Sequence, residues 1–380
     1  MLTPLGWGIG LVSVPLYAAA WWLGYPEPAV LALAGGAAVA AAALWTLPRP
    51  RLEVRREIAP AKVERGEPAV AVLHVTNSGR GVRGLTAHDA AGTAEITVEV
   101  PRLRPGGKRS VTYRLPTDRR GEIAVGPLRL VRSDPMRLAS RVREYGAPET
   151  LLVRPRTVPL ELLASGRAYH LDGPTSDRSP AGTTTFHALR EYVIGDEMRH
   201  IHWKSSARTG TLMVRQLVDA SLPTTTVVLD ARPGSWRDPD DFELAVDAAA
   251  SVAVGAAAAS FPVRVLTGGG PVADTRGGPD DREVLLDRLT AVTAEDAPRA
   301  TVDIVRRTPA GGSLVVIGQD VDDLGRIAAV RSRFDRVVVL RVRPGTPATT
   351  PPGLALLDLT DLDTLAAAWP RLARGAGRAR

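Results

Sequence analysis

Two long apolar runs open the chain and differ from everything that follows them. They extend from about Leu5 to Leu23 and from about Ala29 to Leu47, and neither contains a charged side chain. Each is close to the ~20 residues that an α-helix needs to cross about 30 Å of hydrocarbon. The pattern therefore predicts that residues 1–48 form two transmembrane helices joined by a short polar turn.

The charges beside these runs predict their orientation. The turn carries a single charged residue, Glu27, whereas an arginine-rich segment follows the second run directly. Positive charge beside membrane spans stays in the cytoplasm, so we expect a two-pass protein of the cell (plasma) membrane with cytoplasmic soluble domains. A signal peptide cleaved after Ala18–Ala20 is the alternative, but the first four residues lack the basic start of such peptides. The arginines are Arg49, Arg51, Arg55 and Arg56.

From residue 49 to residue 150, apolar and polar positions alternate in short runs. Residues 69–75 and 94–100 are examples, and both are rich in valine. Alternation with a period of two is the pattern of half-buried β-strands. Turns such as Asn77–Gly79 and Arg104–Gly107 separate the runs at the spacing of a small antiparallel sandwich. We therefore predict a β-sandwich domain over residues 49–150.

Residues 218–380 show a third pattern. Continuous apolar runs, such as 224–229 and 313–317, alternate with longer stretches of helical periodicity. Apolar strands alternating with helices predict a doubly wound α/β domain with a largely parallel sheet. Ligands of such sheets bind beyond the carboxyl ends of the strands. Asp230 and Asp320 lie at the carboxyl ends of two of these predicted strands.

Residues 151–217 fit none of these patterns. A predicted strand at 151–155 is followed by a long passage rich in glycine, proline, serine and threonine, which we interpret as a mobile loop or linker. The stretch 186–217 then combines dense charges of both signs with three of the six histidines of the chain. We expect strands at 188–194 and 212–217, with a short helix or bend at 198–207 between them.

Composition limits the possible functions. A net charge of +7 and a pI near 10.2 would suit an anionic partner. The excess is spread along the chain among aspartates and glutamates, so we expect no nucleic-acid partner. The chain has no cysteine, which excludes disulfides and thiolate metal sites. The sequence also lacks a P-loop, a nucleophile elbow and a His-Glu-x-x-His motif, so no catalytic residue is assigned and no cofactor is expected.

The stretch 186–217 leaves three interpretations open. On a strand, His200 and His202 would share one face and could bind a metal with Asp196 or Glu191. A metal-dependent hydrolase that uses the acid and histidine cluster at 196–202 would follow. Alternatively, the arginines and carboxylates pair in a buried polar network, or they form with Trp203 a recognition surface for a partner protein.

The same stretch contains an ordered series of rarer residues that resembles a known signature. The series is Arg190-Glu191-Tyr192, Gly195-Asp196, Arg199, Ile201-His202-Trp203-Lys204, Ser206-Ala207-Arg208, Gly210, Leu212 and Val214-Arg215. The signature is that of the DUF58 family of bacterial membrane-associated proteins. Upstream, Arg119–Gly121, Gly126–Pro127 and Asp134–Pro135 resemble a second motif of the family, and the predicted helical hairpin is similar to its usual N-terminus. The signature and docking residues that the resemblance indicates are Arg190, Glu191, Tyr192, Gly195, Asp196, Arg199, His202, Trp203, Lys204, Ser206, Arg208 and Arg215.

The resemblance implies a membrane-anchored interaction or assembly factor rather than an enzyme. Similar proteins are often encoded beside MoxR-type AAA+ ATPases, so the resemblance implies a protein partner of that type. It also implies a von Willebrand factor A-like C-terminal domain, whose metal site follows the pattern Asp-x-Ser-x-Ser. Here Arg232 and Gly234 replace the two hydroxyl residues after Asp230. We therefore expect a degenerate site at Asp230 and Asp320, without Mg²⁺ and with an Asp230–Arg232 ion pair in its place.

Overall fold

The computed structural model describes most of the chain. The described residues divide into two units, Met1–Arg154 and Pro155–Arg380, and each unit is considered by itself. As the sequence predicts, two apolar helices precede sheet-rich domains. The described ranges are 1–47, 51–163, 184–193, 198, 201–219, 222–232, 234–294, 299–321, 324–345, 347 and 349–374.

The two apolar runs form the helices α1 (Pro4–Leu23) and α2 (Pro26–Thr46). They pack closely because small residues face each other, and a Cβ added at Gly35 would lie 2.5 Å from the Ser13 hydroxyl. Small residues at such contacts are typical of helix pairs in membranes. Both helices are long and apolar enough to cross a membrane, which confirms that part of the prediction.

Ten strands follow within the first unit, in two sheets. Their bounds are β1 (Leu52–Ala59), β2 (Lys62–Glu64), β3 (Ala69–Asn77), β4 (Leu85–Ala91), β5 (Ala94–Val100), β6 (Lys108–Leu115), β7 (Gly121–Val125), β8 (Leu128–Ser133), β9 (Ser140–Tyr145) and β10 (Glu149–Arg154). The smaller sheet has the order β1-β3-β6, and the larger has the order β2-β10-β7-β4-β8-β9 with β5 paired to β4.

Alternating burial explains why these residues form strands. In β3 every second side chain is buried, and Leu73 and Val75 join Val125 and Leu130 of the larger sheet in one hydrophobic core. Each sheet therefore buries one face against the other. The last strand, β10, extends to Arg154, beyond the residue 150 that the sequence analysis gives as the end of the domain, and it pairs with β7 and β2.

A buried polar group lies beside this core. The Arg56 guanidinium donates to Asp89 at 2.9 Å and to the Val125 carbonyl at 2.9 Å, and the Tyr113 hydroxyl donates to the second Asp89 oxygen. Burial, followed by the hydrogen bond to Asp89, raises the pKa of Tyr113. Gly126 makes room for the guanidinium, since a Cβ there would lie 2.5 Å from it. The Gly126–Pro127 motif thus serves this network.

The start of α1 is fastened to the loop after β8. The Thr3 amide donates to the Leu138 carbonyl at 2.9 Å, and the amino terminus donates to the Ser140 carbonyl at 2.8 Å. A Cβ at Gly6 would lie 2.1 Å from the same Leu138 oxygen. Asp134 shapes this loop because its carboxylate accepts from the amides two and five residues further on, at 2.8 and 2.6 Å. The Asp134–Pro135 motif therefore forms the base of the helical hairpin.

The second unit begins with an antiparallel hairpin and continues with a six-stranded sheet. The hairpin consists of β11 (Thr184–Glu191), the helix α3 (Trp203–Thr209) and β12 (Met213–Asp219). The sheet strands are β13 (Thr225–Leu229), β14 (Val263–Thr267), β15 (Gly270–Asp274), β16 (Ser313–Gly318), β17 (Arg336–Val342) and β18 (Ala355–Leu359). The helices are α4 (Pro239–Ala258), α5 (Asp281–Thr290), α6 (Thr301–Arg307), α7 (Leu324–Ala329) and α8 (Leu362–Arg374).

The sheet has the order β15-β14-β13-β16-β17-β18, and all neighbours are parallel except β15, which is antiparallel to β14. Val227 packs with α4, α5 and α8 on one face. Its neighbour Val228 packs with α6 and α7 on the other face. Helices therefore cover both faces of the sheet, which explains the continuous apolar runs of the central strands.

Several elements differ from the prediction. β15, β18 and α6 were not predicted, because the two strands are partly exposed edge strands of five residues and the helix has only seven. The helix predicted at 323–334 ends at Ala329. α4 begins three residues before the apolar pattern, where Asp238 accepts a hydrogen bond from the Asp240 amide.

Replacing Asp89 by asparagine should destabilise the first soluble domain by about 3–5 kcal/mol, because the buried Arg56 then lacks its anionic partner. Hydrogen–deuterium exchange of the full-length protein in detergent should show faster exchange in β3 and β6. Glu149→Gln is the matched control, because this carboxylate also lies near Arg56, at 3.5 Å, but is 45% exposed. The control substitution should lower the free energy of unfolding by less than about 1 kcal/mol. Equal destabilisation by the two substitutions would contradict a buried network around Arg56.

Candidate functional site

The signature stretch forms the end of the β11–β12 hairpin. Glu191 pairs with Met213 across the two strands, and the Tyr192 amide donates to the Leu212 carbonyl at 2.8 Å. This pairing agrees with the strands that the sequence predicts on either side of a short helix. Gly210 ends that helix with a φ of 74°, which glycine adopts without strain.

Two signature side chains hold α3 against β12. His202 precedes the helix and accepts a hydrogen bond from the Ser205 amide through Nδ1 at 3.2 Å. Ser206 is buried, donates to the His202 carbonyl at 3.1 Å and accepts from the Met213 amide at 2.8 Å. A backbone hydrogen bond also links the start of α3 to β12: the His202 amide donates to the Met213 carbonyl at 2.8 Å. His202 and Ser206 therefore have structural roles in this hairpin.

The other side of α3 is open to solvent. Trp203 is 67% exposed, and Lys204 and Arg208 of the same helix are also exposed. Val193 and Met198 add further exposed apolar side chains, at 63% and 68%. We call Val193, Met198, Trp203, Lys204, Arg208 and the 45%-exposed Leu212 the signature surface. Exposed aromatic and apolar side chains among cations are typical of protein interaction sites.

Part of the signature lies outside the described residues. Gly195, Asp196, Arg199 and His200 belong to that part. For Arg190 and Arg215 the structure describes the backbone but not the side chain. The metal site suggested for the cluster at 196–202 therefore stays a prediction. Within the described ranges, no group of three or more histidines and acids could hold a metal ion.

A second cluster lies at the carboxyl ends of the parallel strands. Asp230 follows β13, is 5% exposed, and pairs with Arg232 through two contacts, Nε to Oδ1 at 2.9 Å and Nη2 to Oδ2 at 2.6 Å. The Arg232 amide also donates to Oδ1 at 3.0 Å. A bidentate contact of this kind is among the strongest side-chain pairs. The ion pair that the sequence suggests is present.

Two further arginines pair with Asp320 and Asp241 at the carboxyl ends of the parallel strands. Arg237 forms an ion pair with Asp320. Arg343 lies 3.0 Å from Asp241 at the start of α4, and it adopts a φ of 41°, which is uncommon outside glycine. Gln319 links the two pairs, since its side chain donates to Asp241 at 2.5 Å and accepts from the Arg237 amide at 2.6 Å.

Both acids that the sequence suggests for a metal site are paired with arginines. Asp230 and Asp320 each have their own guanidinium partner, so the geometry does not present them together as ligands. Arg232 occupies the first expected hydroxyl position, and Gly234, with no side-chain oxygen, occupies the second. Mg²⁺ requires oxygen ligands in a near-octahedral arrangement, and these residues do not fit one.

Sequence reasoning did not single out Arg237, Asp241, Gln319 or Arg343. One signal was present, because Asp238, Asp240 and Asp241 cluster where α4 begins, and acids favour helix N-termini. The arginine partners come from positions 82 and 102 residues away in sequence from the groups that they contact. Only the sheet order brings them together.

Known families and structures give limited further information. Residues 188–270 match the model of the family described as "Protein of unknown function DUF58". This match supports the DUF58 resemblance, and it spans both the hairpin end and the Asp230–Arg232 pair. No curated protein matches the chain.

Similar solved structures cover about a quarter of the chain. The CARDB domain of a Pyrococcus furiosus protein, solved by NMR, is 17% identical, covers 28% of this chain and 97% of its own, and has a TM-score of 0.22. Its crystal structure with di-metal ions has 19% identity, covers 28% and 96%, and has a TM-score of 0.21. The sporulation control protein Spo0M of Bacillus subtilis has 15% identity, covers 27% and 49%, and has a TM-score of 0.16. These values are too low to support an argument about function.

Replacing Ser206 by alanine should weaken the packing of α3 against β12, because the Met213 amide loses its hydrogen-bond acceptor. An unpaired buried amide costs about 1–3 kcal/mol. Exchange of the amides at 213–214 should accelerate accordingly. Thr209→Ala is the control on the same helix, since Thr209 is exposed and donates only to backbone carbonyls at 3.1 and 3.2 Å. Unchanged exchange at Met213 in the Ser206 variant would contradict the structural role.

Replacing Arg232 by alanine should destabilise the second unit by about 3–5 kcal/mol, because Asp230 stays buried without its cation. Faster exchange in β13 and β16 reports the loss. Arg264→Ala is the control from the neighbouring strand, since Arg264 pairs with the half-exposed Asp274 at 2.9 Å. That exposed pair should contribute less than about 1 kcal/mol to the free energy of unfolding. Equal acceleration of exchange in the two variants would contradict a stabilising role of the Asp230–Arg232 pair.

Proposed function

We propose that the protein is a membrane-anchored interaction or assembly factor without enzymatic activity, working with a MoxR-type AAA+ ATPase. The observation that carries the proposal is the signature surface. Trp203, Lys204 and Arg208 are exposed on a helix whose other side is fixed by His202 and Ser206. A rigid support under exposed aromatic and cationic side chains suits protein recognition, because little side-chain and backbone freedom is lost on binding.

The folds of the two soluble regions support this proposal. Two sheets around one core suit a β-sandwich placed as a spacer or interaction module beside the membrane. The parallel sheet with helices on both faces suits a doubly wound domain of the von Willebrand factor A-like class. In that domain the Asp230–Arg232 pair would take the place of the metal, and binding would rely on protein surfaces instead.

The membrane part of the proposal rests on α1 and α2 and on the arginines after them. We propose that the helices cross the cell membrane and that both soluble units lie in the cytoplasm. A reporter enzyme fused after Arg380 should be active only in its cytoplasmic form. Activity of a periplasmic reporter at that position would contradict the orientation.

Partner binding is tested by copurification of the full-length protein with the MoxR-type ATPase of the same cells, with and without ATP. The double variant Trp203→Ala/Arg208→Ala should retain less than about a tenth of the ATPase, because loss of two anchor residues commonly costs more than 1.4 kcal/mol. Val284→Ala/Arg288→Ala is the matched control, since both residues are exposed on α5. This control should bind as the unchanged protein does.

Two outcomes would contradict the proposal. Equal retention of the ATPase by both double variants would remove the role of the signature surface. A stoichiometric transition metal in the purified protein would favour the hydrolase interpretation of residues 196–202 over a docking role.

A further inference from the structure

A cavity of about 620 Å³ lies between the end of α2 and the first soluble domain. Part of its lining is apolar and comes from α2, and the loops and strands of the domain add Gly81 and three basic residues. The apolar residues are Ala41, Leu44 and Trp45, and the basic residues are Arg83, Arg102 and Arg132. The cavity lies within the unit Met1–Arg154, so one folded unit provides all of its lining.

The backbone brings two of these arginines together. Val82 and Leu103 are buried and exchange two hydrogen bonds, at 2.8 and 3.0 Å, in an isolated antiparallel bridge. Their neighbours Arg83 and Arg102 therefore lie across from each other. Like charges in such positions repel each other. Neither side chain makes a hydrogen bond or ion pair with another residue in the part of the chain that the structure describes.

The third arginine adds a partly buried positive charge to the same cavity. Arg132 lies on β8 opposite Leu85, and burial lowers the pKa of its guanidinium. None of the described residues that line the cavity is acidic. The lining therefore favours an anionic group with several oxygen acceptors, such as a phosphate.

The apolar wall indicates what such a phosphate would be attached to. Leu44 is 65% exposed and Trp45 is 49% exposed, and both lie in the last turn of α2. Tryptophan at the end of a membrane helix marks the level of the lipid headgroups. In the proposed orientation this end lies at the cytoplasmic surface, where anionic lipids attract basic segments. The apolar wall then continues along α2 into the hydrocarbon.

We propose that this cavity binds an anionic phospholipid, with its phosphate between Arg83 and Arg102 and its acyl chain along Ala41 and Leu44. The inference rests on the membrane anchoring of the proposed function, but it is independent of the partner docking at the signature surface. Bound lipid would neutralise the arginine pair. It would also add a second attachment of the domain to the membrane, besides the Thr3–Leu138 contact.

The test uses the full-length protein, delipidated in a neutral detergent, and native mass spectrometry with added phosphatidylglycerol or phosphatidylcholine. The unchanged protein should bind phosphatidylglycerol about ten- to thirty-fold more tightly than the double variant Arg83→Gln/Arg102→Gln, because each charge near the membrane surface contributes about a three- to fivefold effect. Phosphatidylcholine should bind weakly to both proteins.

The matched control removes the same charge elsewhere on the domain. Arg109 and Arg114 are exposed on β6 and do not line the cavity, so Arg109→Gln/Arg114→Gln should weaken phosphatidylglycerol binding less than threefold. Equal losses in the two double variants would overturn the proposal in favour of general electrostatic attraction. No loss in either variant would overturn it as well.

Inorganic phosphate distinguishes a lipid from a soluble ligand. At millimolar concentration it should not displace phosphatidylglycerol, because it lacks the acyl chain that contacts α2. Displacement that disappears in Arg83→Gln/Arg102→Gln would overturn the lipid assignment and identify a soluble phosphate as the ligand. Carbonate extraction of membranes tests separately whether the protein is anchored in the membrane. Release of the protein would contradict the membrane anchoring of the proposed function. Retention of the protein together with unselective lipid binding would contradict only the proposed phospholipid site.

Discussion

Burial of carboxylates beside guanidinium groups is the constraint on which both units depend. A buried carboxylate loses its hydration, and only a nearby cation and hydrogen-bond donors can compensate for this loss. Asp89 has Arg56 in the first unit, and Asp230 has Arg232 in the second. Asp247, which is fully buried on α4, accepts from the backbone and side chain of Arg156 at 2.9 and 3.1 Å. This last contact fastens the segment that enters the second unit.

The same constraint shapes the region where a parallel sheet normally binds its ligands. Asp230, Asp241 and Asp320 lie at this edge, and each is already paired with an arginine. Binding a metal ion there would require a guanidinium to leave and a buried carboxylate to be exposed, so the edge favours a fixed structure over exchange of ligands. The exposed apolar and cationic residues of the signature surface lie instead on α3 and the segments beside it, where Trp203 faces solvent. This division supports a docking role for the signature rather than catalysis at the sheet.

The sequence predicts most of the elements, because their patterns are local. Two apolar runs without charges indicate two membrane-length helices, and the alternation in β3 indicates a half-buried strand. Edge elements such as β15 and β18 are too short and too exposed to show such a pattern. The roles within the site are less predictable, since His202 resembles a metal ligand in the sequence but acts as a helix cap in the structure. The contacts among Arg237, Gln319 and Asp241 depend on the strand order, which no local pattern contains.

We propose that the Arg232 guanidinium, paired with the buried Asp230, takes the place that a metal ion would have at the carboxyl ends of the parallel strands. Isothermal titration of Mg²⁺ into the full-length protein in detergent tests it most directly. We expect only the heat of dilution, from the unchanged protein and from Asp320→Asn alike. Stoichiometric binding of Mg²⁺ by the unchanged protein, lost in Asp230→Ala and weakened in Asp320→Asn, would contradict the claim.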